Sequence, residues 1–238
     1  MPKAQGLGGP GHDVAPVGVL IDLDGTLVDT LGDFQAVVAE SLALAGWPSC
    51  PPDVVAHGIG QGTAHLLDCV LRAVFGRPPT SEEAARLMAL YLETYAGLNG
   101  QAAQAFAGAG EALRAWHGAG LRLACVTNKP QALAEGLIEA MGWSSELTQV
   151  LGGDALPRRK PDPMPLLEMA RRWGCEPGRL WMVGDSRNDA QAAEAAGMPV
   201  YLLRHGYNHG DPVDEVPADG HFDDWPSLMA AGWRRRPA

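Results

Sequence analysis

The sequence predicts an α/β protein with a doubly wound, mostly parallel, Rossmann-like sheet and an all-helical cap inserted after the first strand. Apolar runs without polar alternation recur along the chain, which is typical of parallel strands buried on both faces. Helical segments lie between these runs, with Pro near their starts and Gly just past their ends. Residues 31–104 break this rhythm, because they carry helix signals and no convincing strand.

Five apolar runs predict the strands. The first spans residues 17–21, "LRLACVTN", "LWMVGDS" and "PVYLL" predict three more, and "TQVLGGD" predicts a shorter one. Helices are predicted between them over residues 130–141, 162–173 and 188–196. Strands that alternate with helices in this way form a mostly parallel sheet covered on both faces.

The predicted organisation is a flexible leader over residues 1–16, a core formed by residues 17–30 and 105–238, and a helical cap over residues 31–104. The leader is rich in Gly and Pro and has no apolar centre, so it is not expected to be a signal peptide. The three arginines at residues 234–236 are expected to form a solvated end. Within the cap, "TSEE" has the spacing of a capping box and predicts the start of a helix.

The composition excludes some classes of function. Hydrophobic residues make up 46% of the chain, so a sizeable core is expected. The net charge of −10 argues against nucleic acid as a partner, because phosphate backbones bind basic surfaces. No apolar run is long enough to span a membrane. The four cysteines are far apart and form no CxxC pair, which favours a reducing, cytoplasmic setting. The chain is expected to be a monomer or a homodimer.

Polar side chains follow three of the predicted strands. They are Asp22 and Asp24, Thr127 and Asn128, and Asp185 and Asp189. In a doubly wound sheet, ligands bind in the crevice at the carboxyl ends of the strands, so these side chains are expected to meet there. Crowded carboxylates repel one another unless a cation compensates, and Mg²⁺ suits oxygen ligands and bridges to phosphate. The sequence therefore predicts a magnesium site.

Lysine is rare in this chain. Of the 18 basic side chains only Lys3, Lys129 and Lys160 are lysines. Arginine supplies the positive charge elsewhere, so a lysine in "RRKPDP" indicates a need for a compact, mobile ammonium group. We expect Lys160 to reach the crevice from the loop before a helix, whereas the role of Lys129 stays open at this point.

The chain contains four segments in this order: "DLDGTLVDT", "VTNKP", "RRKPDP" and "GDSRND". They resemble, in the same order, the four motifs of the haloacid dehalogenase-like phosphohydrolase superfamily. The resemblance extends from residue 17 to about residue 228. "GGDALP" and "GYNHG" make it similar in particular to the phosphoglycolate phosphatase group of bacteria. The resemblance implies a Mg²⁺-dependent phosphomonoester hydrolase, with 2-phosphoglycolate as the expected small phosphorylated substrate. Choice of substrate within the superfamily depends on the variable cap.

The resemblance also implies roles for single residues. Asp22 is expected to attack phosphorus and form an aspartyl-phosphate, while Asp24 protonates the leaving alkoxide and then activates water. Thr127 and Lys160 would hold the phosphoryl oxygens. The remaining implied roles are backbone N–H contacts near Gly25 and Asn128, metal binding by Asp22, Asp185 and the Asp24 carbonyl, and a supporting role for Asp189.

Other interpretations stay open. A phosphatase or mutase for another small sugar phosphate would keep both Asp22 and Asp24, whereas a haloacid dehalogenase would not need Asp24 or a metal. A non-enzymatic phospho-receiver module would also gather carboxylates, but Asp24 should make its phosphoenzyme too short-lived for a signal. Asp29 is expected to cap the first cap helix. The segment "HGIGQGTAHLL" is expected to form a hinge facing the site, with the roles of His57 and His65 undetermined.

Overall fold

The computed structural model describes residues 16–231 of the 238-residue chain. The predicted leader, apart from Pro16, and the arginines at residues 234–236 therefore lie outside the described residues. The elements in chain order are β1 (Gly18–Ile21), β2 (Val28–Asp29), α1 (Leu31–Ala45), α2 (Pro52–Gly58), α3 (Thr63–Phe75), α4 (Ser81–Leu98), β3 (Gln104–Ala105), α5 (Ala109–Gly118), β4 (Arg122–Val126), α6 (Gln131–Ala140), β5 (Gln149–Leu151), α7 (Met164–Trp173), β6 (Leu180–Gly184), α8 (Arg187–Ala196), β7 (Val200–Leu203), β8 (Gly220–Phe222) and α9 (Trp225–Ala231).

The main sheet is parallel and has six strands in the order β5-β4-β1-β6-β7-β8. Strand β1 lies in the middle, paired with β4 on one side and β6 on the other. All four residues of β1 are buried, which explains why its sequence is a continuous apolar run. The predicted α/β class and parallel sheet are confirmed, and the short run "TQVLGGD" does form a strand.

Two hydrophobic clusters lie on opposite faces of the sheet, because successive side chains of a strand point to opposite sides. Val19 and Ile21 of β1 belong to the cluster that includes Trp116 of α5, whereas Leu20 belongs to the cluster that includes Met169 of α7. Helices therefore cover both faces, and the polar groups at the carboxyl ends of the strands are left at one edge of the sheet.

Helices α1–α4 pack together around a third hydrophobic cluster, which includes Val37, Val70 and Tyr91. Helix α4 begins with the predicted capping box, in which the Thr80 hydroxyl accepts from the Glu83 N–H and the Glu83 carboxylate accepts from the Thr80 N–H. These helices fill the segment that the sequence assigns to the cap. Their status as a separate domain, and the domain boundaries, stay predictions.

The two ends of this helical segment are tied to each other. The buried carboxylate of Asp33, in the first turn of α1, accepts hydrogen bonds from the backbone N–H groups of Gly100 and Ala102 at 2.6 and 2.7 Å. The short strands β2 and β3 pair antiparallel beside this contact. Strand β3 begins at Gln104, so the expectation that residues 31–104 contain no strand is wrong at its last position.

No helix in the described part of the chain combines the length and the apolar character that a bilayer-crossing segment needs.

Candidate active site

The ends of three neighbouring strands bring the predicted polar residues together. Asp22 follows β1, Thr127 follows β4, and Asp185 follows β6, and all three side chains are buried. Carboxylate oxygens of Asp22, Asp185 and Asp189 all lie within 4.8 Å of one another. Since parallel strands end at the same edge, the clustering follows directly from the sheet order.

Lys160 compensates part of this negative charge. Its ammonium group donates to the Val126 carbonyl at 2.6 Å and to Asp189 Oδ1 at 2.7 Å, and lies 3.0 Å from Asp22 Oδ1. The first two contacts are hydrogen bonds, and the third is an ion pair. Burial lowers the pKa of Lys160, but the charges of Asp189 and Asp22 outweigh it and hold the pKa above its usual value. Lys160 is therefore a permanently charged, fixed group in the site.

Asp189 holds Lys160 from behind the site. Its Oδ2 accepts from the N–H and the hydroxyl of Ser186, at 3.1 and 2.8 Å, which completes the first turn of α8. Its Oδ1 accepts from Lys160. Asp189 thus contacts both Lys160 and the first turn of α8.

Asp185 is held by the loop after β1 and by the loop after β7. Its Oδ1 accepts from the Thr26 hydroxyl at 2.6 Å, and its Oδ2 accepts from the Tyr207 N–H at 2.8 Å. Gly25 lies against it with a φ of 85°, and a Cβ there would stand 2.6 Å from Asp185 Oδ2. Only glycine satisfies both the left-handed backbone and this close approach.

Asp24 has its own cationic partner. Lys129 Nζ donates to Asp24 Oδ1 at 3.1 Å and to the hydroxyl of Tyr95, which belongs to α4. The same ammonium group lies 4.8 Å from the ring centre of Phe34 and 4.3 Å from that of Tyr95, so cation–π contacts add to the ion pair. The sequence left Lys129 open, and the structure places it in the site.

Two carboxylates of the cluster, those of Asp22 and Asp185, ionise with difficulty. Burial raises the pKa of Asp22 to about 6, with the charge of Lys160 opposing the shift and that of Asp189 adding to it. Burial raises the pKa of Asp185 to about 8, and the charges of Asp189 and Asp22 contribute. Lys160 alone therefore does not compensate the negative charge of the cluster.

This donor set fits a hard divalent cation. Asp22 and Asp185 offer carboxylate oxygens within reach of one another and lack enough positive charge. Asp189 is in the same group, but hydrogen bonds from Lys160 and Ser186 already occupy both of its oxygens. The buried carboxylates could therefore bind a metal ion.

A loop between α2 and α3 closes over the site. The Gly60 carbonyl accepts from the carboxamides of Asn128 and Asn188 at 2.9 and 3.0 Å, and the Ile59 carbonyl lies 2.9 Å from His209 Nδ1. Burial lowers the pKa of His209, which favours the neutral ring. Three side chains of the core thus hold the loop that the sequence predicts to be a hinge; its flexibility stays a prediction.

The enclosed pocket has a volume of about 30 Å³. It is lined by residues from both the strand ends and the helical segment, namely Asp22, Asp24, Phe34, Gly58, Ile59, Gly60, Gly62, Thr63, Leu66, Tyr95, Thr127, Asn128, Lys129 and Pro130. The loop 59–62 therefore faces the site, as expected.

The structure gives the hydrogen bonds of the two residues predicted to contact substrate, Gly25 and Asn128. The Gly25 N–H donates to the Val28 carbonyl at 2.9 Å and so stabilises the turn after β1. This hydrogen bond gives no support to the predicted contact of the Gly25 N–H with substrate. The carboxamide of Asn128 donates to Gly60 and to the Lys160 carbonyl, while its buried Oδ1 lacks a partner among the described residues. A role of Asn128 in binding substrate stays a prediction.

The two open histidines form local hydrogen bonds. His57 Nδ1 lies 2.7 Å from the Asp53 carbonyl, one turn earlier in α2, and His65 Nε2 lies 3.5 Å from the Cys69 sulfur, one turn later in α3. The sequence predicts that Asp29 caps α1, but the N-cap residue is Thr30; Asp29 Oδ1 accepts from the Leu31 N–H at 3.2 Å from one position earlier.

The sequence analysis missed Tyr207. Its hydroxyl accepts from the N–H groups of Thr30 and Leu31 and donates to Asp29, while its own N–H binds Asp185. One residue thus connects the carboxylate cluster with the start of α1. The segment "GYNHG" was noticed only as part of a resemblance; its two glycines around a tyrosine were the available signal.

The comparisons with known proteins agree with this geometry. The sequence model described as haloacid dehalogenase-like hydrolase matches residues 17–197. Proteins named phosphoglycolate phosphatase from Thiobacillus denitrificans and Nitrosospira multiformis are 37% and 39% identical over 213 residues, which is 90% of this chain and 92% of each relative. A crystal structure of a predicted phosphoglycolate phosphatase from Haemophilus somnus superposes with a TM-score of 0.87 and 28% identity, covering 92% of this chain and 98% of the other.

These matches confirm the predicted resemblance and the predicted enzyme class, a phosphoric monoester hydrolase. They decide against the alternative of a non-enzymatic receiver module. The matched segment contains all four motifs and the described site from Asp22 to Asp189. The chain belongs to the haloacid dehalogenase-like hydrolase family.

Proposed function

We propose that this enzyme is a Mg²⁺-dependent phosphatase that hydrolyses 2-phosphoglycolate to glycolate and phosphate through a phosphorylated Asp22. The observation that carries the proposal is the separate pairing of two buried carboxylates in one pocket. Asp22 lies against Lys160, and Asp24 lies against Lys129. A pair of carboxylates with different surroundings is suited to different tasks, one as nucleophile and one as acid and base.

Asp22 is proposed as the nucleophile. The Leu23 N–H and the Lys160 ammonium both contact its Oδ1, at 2.7 and 3.0 Å. These contacts fix the carboxylate and leave Oδ2 as the oxygen that attacks phosphorus. The bond from phosphorus to the ester oxygen breaks as the bond to Oδ2 forms.

Asp24 is proposed as the general acid and base. Its Oδ1 is held by Lys129, so Oδ2 is the oxygen that gives a proton to the leaving alkoxide. The same oxygen then takes a proton from the water that attacks the aspartyl-phosphate, which releases phosphate and restores Asp22. Thr127 and Lys160 are proposed to hold the phosphoryl oxygens during both steps, with the Lys160 contact to Asp22 shared with the phosphoryl group.

A magnesium ion would be held by Asp22, Asp185 and the Asp24 carbonyl, and when bound it would neutralise charge on the phosphoryl oxygens. Asp185 is already oriented for this role by Thr26 and Tyr207. The protein contributes positioning, exclusion of water by the closed loop, and fixed positive charge, on which phosphoryl transfer chiefly depends.

The choice of 2-phosphoglycolate rests on the relatives that carry its name. The enzyme is proposed to act in the cytoplasm, as a monomer or a homodimer.

The test is release of inorganic phosphate in the presence of Mg²⁺ from 2-phosphoglycolate, hexose and pentose phosphates and a nitrophenyl phosphate. We expect a clear preference for 2-phosphoglycolate and no turnover by Asp22→Asn, which keeps the shape of the side chain. Asp24→Asn should slow both chemical steps. A phosphoryl group on Asp22 in acid-quenched wild-type enzyme is expected by mass spectrometry. Substantial activity in Asp22→Asn would remove the covalent route, and a preference for a sugar phosphate would replace the proposed substrate.

A further inference from the structure

Lys129 is the cationic side chain of the pocket. Of the described residues that line the pocket, no other carries a positive charge. The residue is 4% exposed, and its ammonium group lies against the aromatic rings of Phe34 and Tyr95. An ammonium group in such a dry setting interacts strongly with any anion that reaches it.

Lys129 also keeps a donor for a ligand. Its ammonium has three N–H groups, and its hydrogen bonds to described residues go to two acceptors, Asp24 Oδ1 and the Tyr95 hydroxyl. Lys160 differs in position, because its ammonium group lies 3.0 Å from Asp22 and the residue is not among those that line the pocket.

The arginines of α3 and α4 and of the loop between them are engaged elsewhere. Arg72 pairs with Asp68 at 2.6 Å, and Arg77 pairs with Glu83 at 2.6 Å. Arg86 donates to the Ala45 carbonyl. None of the three lines the pocket. The Arg159 guanidinium lies beside Gly62 of the loop but outside the lining, so among the described residues that line the pocket Lys129 is the counter-charge for a negatively charged group on the leaving part of the substrate.

We propose that Lys129 binds the carboxylate of the substrate and thereby selects phosphate esters that carry an acid group on the carbon next to the ester oxygen. This inference rests on the proposed function and names the residue that makes the substrate choice. In 2-phosphoglycolate the carboxylate oxygens lie about 3 Å from the ester oxygen, from ordinary bond lengths. Asp24 is proposed to protonate that ester oxygen as it leaves, and Lys129 Nζ lies 3.1 Å from Asp24 Oδ1. One bound substrate can therefore reach both groups.

The experiment compares two substrates of the same skeleton, 2-phosphoglycolate and 2-hydroxyethyl phosphate, in which an alcohol replaces the carboxylate. The readout is the ratio of their kcat/KM values. We expect wild-type enzyme to prefer 2-phosphoglycolate and Lys129→Met to lower the ratio about 10- to 100-fold, the usual effect of losing a hydrogen bond to a charged group. Loss of activity through a disturbed Asp24 falls on both substrates and cancels in the ratio.

Two further variants act as controls. Lys129→Arg keeps the charge and should restore part of the ratio, whereas Tyr95→Phe removes the other partner of Lys129, keeps the ammonium group and should retain the ratio. Thermal melting shows whether each variant is folded. If Lys129→Met does not fold, Lys129→Gln takes its place, because its amide can still bind Asp24 and Tyr95.

The outcomes separate this inference from the proposed function. An unchanged ratio in the neutral variants of Lys129, with a wild-type enzyme that prefers 2-phosphoglycolate, would overturn the role of Lys129 and leave the proposed function standing. A wild-type enzyme that releases phosphate from both esters equally well would overturn the choice of substrate, and the role of Lys129 with it.

Discussion

Replacing Asp185 by asparagine should make the metal-free protein more stable than the wild type at high pH. The folded-state pKa of Asp185 is raised from 3.8 to about 8 by burial and by the charges of Asp189 and Asp22. A carboxyl with a raised folded-state pKa stabilises the fold fully below its unfolded value, and this contribution is lost as the pH rises through the folded value. The wild type should therefore lose stability relative to the variant between about pH 4 and pH 8.

The magnitude follows from the two pKa values. Their difference corresponds to at most about 6 kcal/mol in the free energy of unfolding. The variant loses part of this advantage, because Asp185 accepts from both Thr26 and Tyr207 and an asparagine offers only one acceptor oxygen. An unpaired buried donor costs about 1–3 kcal/mol. This cost does not depend on pH, so we expect the variant to gain roughly 4 kcal/mol on the wild type between pH 5 and pH 8, and to exceed it by about 2–4 kcal/mol at pH 8.

The assay is urea unfolding in EDTA at pH 5 and pH 8, repeated with Mg²⁺. Asp53→Asn, which removes an exposed carboxylate, serves as the matched control. A stability difference between wild type and Asp185→Asn that is the same at both pH values would refute the reasoning about burial and charge. Mg²⁺ at about 100 times its Kd should stabilise the wild type by about 2.7 kcal/mol. Equal stabilisation of the variant would show that Asp185 does not bind the metal.

Three further predictions concern parts of the structure away from the cluster of Asp22, Asp185 and Asp189. Asp33→Ala leaves two backbone N–H groups at the end of the helical segment unpaired, so the free energy of unfolding in urea should fall by about 2–4 kcal/mol. A fall of less than about 0.5 kcal/mol would show that water replaces the carboxylate. Asn188→Ala removes one donor to the Gly60 carbonyl and should make loop 59–62 more sensitive to limited proteolysis; unchanged cleavage would mean that the remaining donors suffice. Leu113 is a fully buried residue of α5. Leu113→Ala should lower the unfolding free energy by about 2–5 kcal/mol with activity per folded molecule unchanged. A smaller loss would indicate that the core collapses around the cavity.

The fold was predictable wherever a segment carries its own signal. Buried parallel strands such as β1 are continuous apolar runs, and the start of α4 is marked by its capping box. Strands β2 and β3 have two residues each and pair across more than 70 positions, so no local pattern indicates them. They form because both ends of the helical segment return to the same place. Strand β8 has three residues, all half-buried, and is too short to form an apolar run that would indicate it.

The site residues that follow the strands at the carboxyl edge of the sheet could be predicted from the sequence. Parallel order alone brings the strand-end residues together, so Asp22, Thr127 and Asp185 follow from the sequence. The contacts of Tyr95 and His209 do not, because they depend on how the helical segment lies on the core. Tyr95 belongs to an ordinary buried helix face, and nothing in its local sequence distinguishes a core tyrosine from one that contacts Lys129.

The rarity of lysine gains a physical explanation from the two ion pairs. Both lysines in the described part of the chain are buried at the site, whereas arginines such as Arg72 pair with carboxylates on the surface. A compact ammonium group fits where a guanidinium would displace its neighbours. The pairs differ in what holds them: Lys160 contacts only residues of the core, but Lys129 also binds Tyr95 of α4. Movement of α4 away from the sheet would therefore break a contact of Lys129 and leave those of Lys160 intact, so the position of the helices is coupled to Asp24 and not to Asp22.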